Sequence, residues 1–255
     1  MSSWSSRRRL TYGGTLLAVI LVFIIWIVYS FLYEAPTCFD RIQNGNEHGI
    51  DCGGSCERLC PSAFLAPSVA WTSYEALAIG YYNAAAYIIN PNPEGEALNV
   101  PYRIVLYDVN GEQIIDMPGT VDIPPHRNTL AFLGPIPVGK RVATKAFFEF
   151  TCGDRCMEYW RKKSDTLATL SIGEKNYTEE GSGSSLLVTL KNTVVKPIGR
   201  MSVYAILSDA RSNIVGFSKT IVDGIAGLGV VQPAFTWPIN RQGKVISIEV
   251  LPVAE

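Results

Sequence analysis

The hydrophobic pattern divides the chain into two contrasting parts. Residues 16–31 read LLAVILVFIIWIVYSF, and the uncharged stretch around them covers residues 11–33. At about 1.5 Å per residue such a stretch makes roughly 34 Å of helix, enough to cross a bilayer with some tilt. From residue 67 onward, short runs rich in Val, Ile, Tyr and Phe alternate with Gly, Pro, Asn and Asp. This second pattern is typical of β-strands joined by turns.

The charges that flank the apolar stretch predict its orientation. Arg7, Arg8 and Arg9 precede it, and Glu34 is the first charge after it. The positive-inside rule then puts the tail 1–10 in the cytoplasm and the rest of the chain outside it. The stretch is longer than a signal-peptide core, and no small-x-small cleavage site follows it. We therefore expect an uncleaved, single-pass anchor of the cell membrane that contacts the lipid bilayer through residues 11–33.

The β-rich region repeats itself at an offset of about 101–103 residues. YRIVLYD at 102–108 matches VYAILSD at 203–209, and AFLGPI at 131–136 matches AFTWPI at 234–239. A polar turn begins at the equivalent residues Asn90 and Asn192. A period near 100 residues suits a β-sandwich of about seven strands. The sequence thus predicts an all-β protein with tandem β-sandwiches at 66–160 and 161–255, preceded by one transmembrane helix and a small Cys-rich knot at 34–65.

Individual strands can be predicted in the first repeat, and a flexible Gly/Ser loop in the second. Asn110-Gly111 is a strong hairpin turn, and residues 173–185 contain the loop GSGSS. We expect strands near residues 69–71, 76–83, 84–89, 100–108, 113–123, 127–133 and 142–150.

Several of these motifs resemble a known family. NPNP at 90–93 and LYD at 106–108 are similar to the motifs of the FxLYD-like and late-embryogenesis-abundant type 2 group. The resemblance implies immunoglobulin-like β-sandwiches. The second repeat departs from both motifs, because it has LSD at 207–209 and NTV at 192–194. Its assignment to this fold therefore depends on its similarity to the first repeat. Residues 38–60 resemble the DCGG-type cysteine segment of membrane-anchored bacterial surface proteins, which implies a location but no chemical activity.

The cysteines indicate an oxidising compartment. All six follow the anchor, and an even number in an exported region favours disulfides. The first group needs cross-links because a glycine-rich segment of this size cannot build an apolar core; its members are Cys38, Cys52, Cys56 and Cys60. Three pairings are open. A zinc site is the rival interpretation, although the gaps of three residues differ from the usual spacing of two.

The second group is the pair Cys152 and Cys156, which has two interpretations. One is a redox-active pair; the other is a local staple at the end of the first sandwich. The staple is favoured because dithiol oxidoreductases usually have a gap of two residues in an αβ pattern. We expect Trp160 to pack beside this loop and residues 161–163 to be solvated.

Oxygen ligands in the knot raise the question of calcium. Asp40, Asn44, Asn46 and Asp51 are interspersed with glycines, an arrangement that could hold this ion. EF-hand spacing is absent, and Asx turns explain the same residues. We expect no other cofactor.

The remaining composition argues against catalysis. The net charge of −1 provides no field for nucleic acid or for anionic lipid beyond the N-terminal arginines. The two histidines, His48 and His126, are expected to be solvated. No nucleophile elbow, P-loop or dinucleotide fingerprint occurs. We expect a binding or structural protein of the cell envelope with a protein partner and no enzymatic activity. The alternatives are an envelope thiol-redox factor or enzyme using Cys152 and Cys156, and a calcium-dependent adhesive module.

Overall fold

The chain folds into two compact units, Met1–Gly54 and Ser55–Glu255. The structure is a computed structural model that describes residues 4–32, 35–163, 167–181, 183–238 and 245–254. The first unit contains one long helix and a turn-rich segment, and the second contains all fourteen described strands. The expected mainly-β class with an N-terminal apolar helix is therefore confirmed.

The helix α1 covers Trp4–Leu32. Its segment Arg8–Ser30 has the length and the composition of a membrane span. Apolar side chains such as Leu16, Phe23 and Ile25 are exposed along it. A helix that is apolar on all sides is stable only in a protein core or in lipid, so this exposure agrees with a membrane anchor. The direction in which it crosses the membrane stays a prediction.

The second unit is built from antiparallel strands. In chain order they are β1 (Ser68–Ala78), β2 (Tyr81–Ile89), β3 (Gly95–Tyr107), β4 (Gln113–Ile123), β5 (Thr129–Pro137), β6 (Lys145–Phe150), β7 (Trp160–Lys162), β8 (Leu170–Glu180), β9 (Gly183–Asn192), β10 (Met201–Ser208), β11 (Ile214–Val222), β12 (Val230–Val231), β13 (Ala234–Trp237) and β14 (Ser247–Ala254).

One expected strand boundary is displaced. We predicted that a strand runs through residues 76–83 and that the next begins at residue 84. The structure instead turns between β1 and β2, at Ile79 and Gly80. Gly80 has a φ of +78°, and a Cβ there would lie 2.7 Å from the carbonyl oxygen of Gly139. Only glycine tolerates both conditions, so the turn falls at this residue.

The prediction of a flexible loop over residues 173–185 is wrong. Strands β8 and β9 form a long hairpin there, in which Tyr177 pairs with Leu186. Leu186 is fully buried, and Tyr177 packs against the same core. Most of the other β8 side chains are exposed, so this strand has too few apolar residues to show the period-two pattern.

The two halves of the second unit, β1–β7 and β8–β14, have the same strand order. In the first half, β2 lies between β1 and β5, while β3 lies between β4 and β6. In the second half, β9 lies between β8 and β13, while β10 lies between β11 and β14. In both halves, side chains from the two sheets meet in a buried core, as in a β-sandwich.

The repeat extends to single hydrogen bonds. The Asp108 Oδ1 atom accepts bonds from the backbone N–H groups of Asn110 and Glu112, both at 2.9 Å. The Asp209 Oδ1 atom accepts bonds from the N–H groups of Arg211 and Asn213, both at 2.8 Å. Both hairpins that follow the central strands are therefore closed by an aspartate at the same place.

A third core joins the two halves. This interlayer core contains Ala85, Leu130, Tyr204, Ile206, Phe217 and Val253. Because successive strand residues face opposite sides, Ala84 and Ala86 enter the first-half core while Ala85 enters the interlayer core. In the same way, Val203 faces the second-half core and Tyr204 the interlayer core. Strands β2 and β10 are thus buried on both faces.

Truncating the interlayer core should destabilise the protein strongly. Ile206 is 1% exposed, and Ile221 on the adjacent strand is 48% exposed. Ile206→Ala should lower the free energy of unfolding by about 2–5 kcal/mol because it leaves a cavity. The matched control Ile221→Ala should cost about 1 kcal/mol or less. Urea unfolding of the detergent-solubilised chain, followed by tryptophan fluorescence, measures both; equal losses would contradict the interlayer packing.

Tyr87 forms a polar link at the margin of the interlayer core. Its hydroxyl donates to the Glu249 Oε1 atom at 2.7 Å and accepts a bond from Asn128 Nδ2 at 3.0 Å. Burial, and then the hydrogen bond to Glu249, raise the pKa of Tyr87 to about 12. The two halves are therefore joined by a neutral phenol as well as by apolar contacts.

The raised pKa of Tyr87 predicts part of the alkaline instability. Since the unfolded pKa is about 10, the stabilisation is complete below pH ~10 and is lost as the pH rises towards about 12. Tyr87→Phe should reduce the loss of stability over this interval, as measured by urea unfolding at a series of pH values. Tyr81→Phe, at an exposed position, is the control, and an equal change in both variants would refute the assignment.

Candidate functional site

All six cysteines are disulfide-bonded, as their even number predicted. Cys52, Cys56 and Cys60 are buried. Sulfurs that are joined in disulfides are not the thiolates that zinc binds. The rival zinc interpretation of the knot is therefore not supported.

The Cys152–Cys156 bond closes a short loop at the end of the first half. The two Cα atoms are 4.9 Å apart, and a 3-10 helix occupies Gly153–Tyr159. Cys152 is 8% exposed and belongs to the first-half core. Trp160, 4% exposed, packs in the same core as expected. This geometry agrees with a staple.

Residues 161–163 are exposed or partly exposed, as expected, but each of them also pairs with a carboxylate. The Glu96 carboxylate, only 5% exposed, accepts Arg161 Nε at 2.6 Å and lies 3.0 Å from Lys163 Nζ. Lys162 Nζ lies 3.2 Å from a carboxylate oxygen of Glu94. The cause is that β7 pairs with the start of β3, so that Arg161 lies opposite Glu96. A buried carboxylate requires such partners.

The segment that leads into β1 is fixed to the first half at the end that contains Asn92 and Trp160. We call this the near end. Leu65 donates its N–H to Asn92 Oδ1 at 2.9 Å, and Asn92 Nδ2 donates to the Leu65 carbonyl at 2.7 Å. The Phe64 ring meets the Trp160 ring edge-on at 5.0 Å. Lys162 also donates its N–H to the carbonyl of Glu57. The chain therefore joins the β-sheets through an ordered segment.

Among the candidate calcium residues, Asp40 accepts hydrogen bonds within a turn. Asp40 Oδ1 accepts the Ile42 N–H, and Asp40 Oδ2 accepts Asn44 Nδ2 and the Thr37 N–H, all at 2.9–3.0 Å. The bond from Asn44, followed by the backbone bonds, holds the pKa of Asp40 below its usual value.

The other two candidates lie in the same turn-rich segment. Both carboxylate oxygens of Asp51 accept the Arg41 N–H, at 3.0 and 3.1 Å. A Cβ at Gly54 would come within 1.9 Å of the Asn46 carbonyl. Asp40 is therefore an Asx-turn acceptor, and Asp51 joins two parts of the segment that are ten residues apart.

A pair of equivalent asparagines holds the loops at the near end. Asn90 Nδ2 donates to the carbonyls of Gly95 and Pro124, at 2.8 and 2.7 Å. Asn192 Nδ2 donates to the carbonyls of Lys196 and Ala226, at 2.7 and 3.1 Å. Each Oδ1 atom accepts the N–H two residues further on. A buried amide thus fixes two neighbouring loops in each half.

The opposite end, which we call the far end, is also rigid. Its loops cover residues 79–80, 108–112 and 138–144. Val138 donates its N–H to the Gly80 carbonyl at 2.8 Å, and Thr144 donates its N–H to the Tyr107 carbonyl at 2.8 Å. Arg141 donates to the carbonyls of Gln113 and Ile114, at 3.1 and 3.2 Å. The loop between β5 and β6 is therefore tied to both neighbours.

Apolar tips project from this rigid end. Ile79 is 100% exposed, Val109 82% and Val142 65%. A cavity of about 430 Å³ lies beside Ile79, Lys140 and Val142, and another of about 550 Å³ lies beside Val109. We call Ile79, Val109, Val142 and Lys140 the far-end surface. The sequence did not predict the far-end surface, because an apolar residue beside a turn glycine, as in Ile79-Gly80, has the pattern of a strand residue.

Comparisons with known proteins assign no family. No family model matches the chain, and a search of curated proteins gives no match. Among solved structures, red sea bream transglutaminase is 11% identical at a TM-score of 0.21, over 72% of this chain and 31% of its own. A tandem CBM22 domain of Paenibacillus barcinonensis Xyn10C is 8% identical at a TM-score of 0.13, over 74% of this chain and 84% of its own. These values are too low to support a shared fold or activity.

The burial of Cys152 predicts that its disulfide resists mild reduction. A structural disulfide persists where a catalytic pair would cycle. Thiol titration of the native chain after mild reductant should detect no free thiol from Cys152 or Cys156. Complete reduction of the denatured chain is the control and should release all six thiols. Rapid and reversible opening of this bond in the native chain would favour the redox interpretation instead.

Proposed function

We propose that this chain is a membrane-anchored, extracytoplasmic binding or structural protein of the cell envelope, with its N-terminus in the cytoplasm and no catalysis of its own. The exposed apolar helix supports the anchor. The oxidised state of all six cysteines supports an extracytoplasmic location. The order of charges around the helix supports the orientation.

We further propose that the two halves are tandem immunoglobulin-like sandwiches of the FxLYD-like or late-embryogenesis-abundant type 2 kind. Strand order supports this: β1-β2-β5 faces β4-β3-β6, and the same order recurs in the second half. Such sandwiches commonly bind partners through the loops at their ends.

The far-end surface is the observation that carries the binding function. Its apolar tips are exposed, yet the loops beneath them are hydrogen-bonded on both sides. A surface that is ordered before binding loses little conformational entropy when a partner docks. Lys140 adds a positive charge between two apolar positions. We propose that a protein partner of the cell envelope docks here.

The topology is tested by amine labelling of intact cells. Every lysine of the chain follows the helix, from Lys140 onward. A membrane-impermeant amine reagent should modify exposed lysines such as Lys140 and Lys196 in intact cells. Lysed cells provide the control for reactivity. Labelling that occurs only after lysis would show that the proposed orientation is wrong.

The binding surface is tested by photo-crosslinking in cells. A photoreactive residue at Ile79 should give a defined protein adduct, and Val142→Asp on the same chain should reduce it by about tenfold or more, since a charge enters the apolar contact. The same probe at Ile221, an exposed residue in the middle of a strand, is the control. Equal adducts at both positions, or no effect of Val142→Asp, would argue against the far-end surface.

A further inference from the structure

The near-end loops of the two halves have the same backbone but different side chains. His126 and Leu228 occupy equivalent positions, each with a φ of +57°. Each donates its N–H to the equivalent carbonyl, that of Asn92 or Val194. The positions that are polar in the first half, Asn92 and His126, are therefore apolar in the second.

In the first-half loop, Asn92 is covered by the segment that leads into β1, while His126 is exposed. Asn92 is 5% exposed and exchanges two hydrogen bonds with Leu65. In the second half, Val194, Val195 and Leu228 are 37%, 79% and 59% exposed. We call these three residues the second-half tip. The two halves can therefore be compared directly: the first-half loops carry a buried asparagine and an exposed histidine, whereas the second-half loops expose valine and leucine.

The second-half tip is held rigidly. Asn192 is completely buried and fixes both of its loops. Leu228 donates its N–H to the Val194 carbonyl at 2.8 Å, and a Cβ at Gly227 would lie 1.9 Å from the Val195 carbonyl. Leu228 has a left-handed backbone, with a φ of +57°. The loops that carry the apolar side chains are therefore fixed by hydrogen bonds of their backbone.

Basic residues lie beside Val194 at one side of the tip. Lys196 is exposed, and Lys163 and Arg200 line the same cavity of about 460 Å³ beside Val194. Asp223 lies 3.9 Å from Arg200, and Lys163 pairs with buried Glu96. Apolar side chains flanked by cations fit the interface of an anionic bilayer. The apolar side chains enter the headgroup region, and the cations contact the lipid phosphates.

The tip also lies at the end where the chain joins the sheets. Arg127, from the near end of the first half, donates to the Leu167 carbonyl at 2.9 Å, and Leu167 lines the cavity beside the tip. The near ends of both halves are therefore on the same side of the second unit. Residues 57–65, which lead into β1, lie at this side of the second unit.

We propose that the second-half tip docks on the anionic phospholipid surface of the membrane that α1 enters, giving the protein a second membrane contact. This rests on the proposed membrane anchor. The contact would be separate from the far-end surface, which lies at the opposite end of the second unit.

Photo-crosslinking of the full chain in lipid nanodiscs tests the proposal. A photoreactive benzoylphenylalanine replaces Val195, or, as the matched control, the equally apolar and fully exposed Ile79. Nanodiscs contain phosphatidylcholine alone or mixed with phosphatidylglycerol. Mass spectrometry should detect phospholipid adducts at position 195 in the anionic discs, at least about fivefold above position 79 and above the neutral discs. Equal adducts at the two positions, or in the two kinds of disc, would overturn the proposal.

A charge variant adds a second readout. One cation near an anionic surface contributes about 1 kcal/mol, so Lys196→Gln should lower the adducts at position 195 about fivefold. Lys145→Gln at the far end should leave them unchanged. No effect of Lys196→Gln would overturn the electrostatic contact, and a protein adduct at position 195 in cells in place of a lipid adduct would assign the tip to a protein partner. Failure of the chain to enter nanodiscs at all would instead reject the anchor and the proposed function.

Discussion

The interlayer core determines the organisation of the second unit. Residues such as Ala85, Ile206 and Phe217 are completely or almost completely buried between the two halves. Strands β2 and β10 consequently have no face left for water, although antiparallel sheets usually keep one. This hydrophobic burial joins the two halves into one compact unit. The hydrogen bond from Tyr87 to Glu249 adds a polar contact at the margin of the interlayer core.

A duplicated scaffold separates structural residues from variable ones. Asn90 and Asn192, like Asp108 and Asp209, make the same backbone contacts in both halves. These polar side chains replace backbone partners that loops otherwise lack. Once such residues hold the loops, the exposed positions can change chemistry without a change of backbone, as they do at His126 and Leu228. The second-half tip is a difference of this kind, because it has the same backbone as its first-half counterpart.

Sequence patterns predicted the elements that follow a simple period. The apolar helix, the alternating strands and the Asn110-Gly111 turn all have strong local signals, and the even number of cysteines predicted their oxidation. The β8–β9 hairpin was missed because β8 exposes most of its side chains. The Glu96 cluster was missed because it depends on the pairing of β7 with β3, across 65 residues. Likewise, the far-end surface arises where loops from distant parts of the chain meet, and no local pattern describes it.

The burial of β2 and β10 on both faces has a consequence for the history of the chain. A single ancestral half would have needed a polar outer face to remain soluble, because a large exposed apolar patch promotes association. Once alanine, isoleucine and phenylalanine filled that face, neither half could be deleted without exposing the other. A substitution at this contact therefore affects the packing of both halves at once.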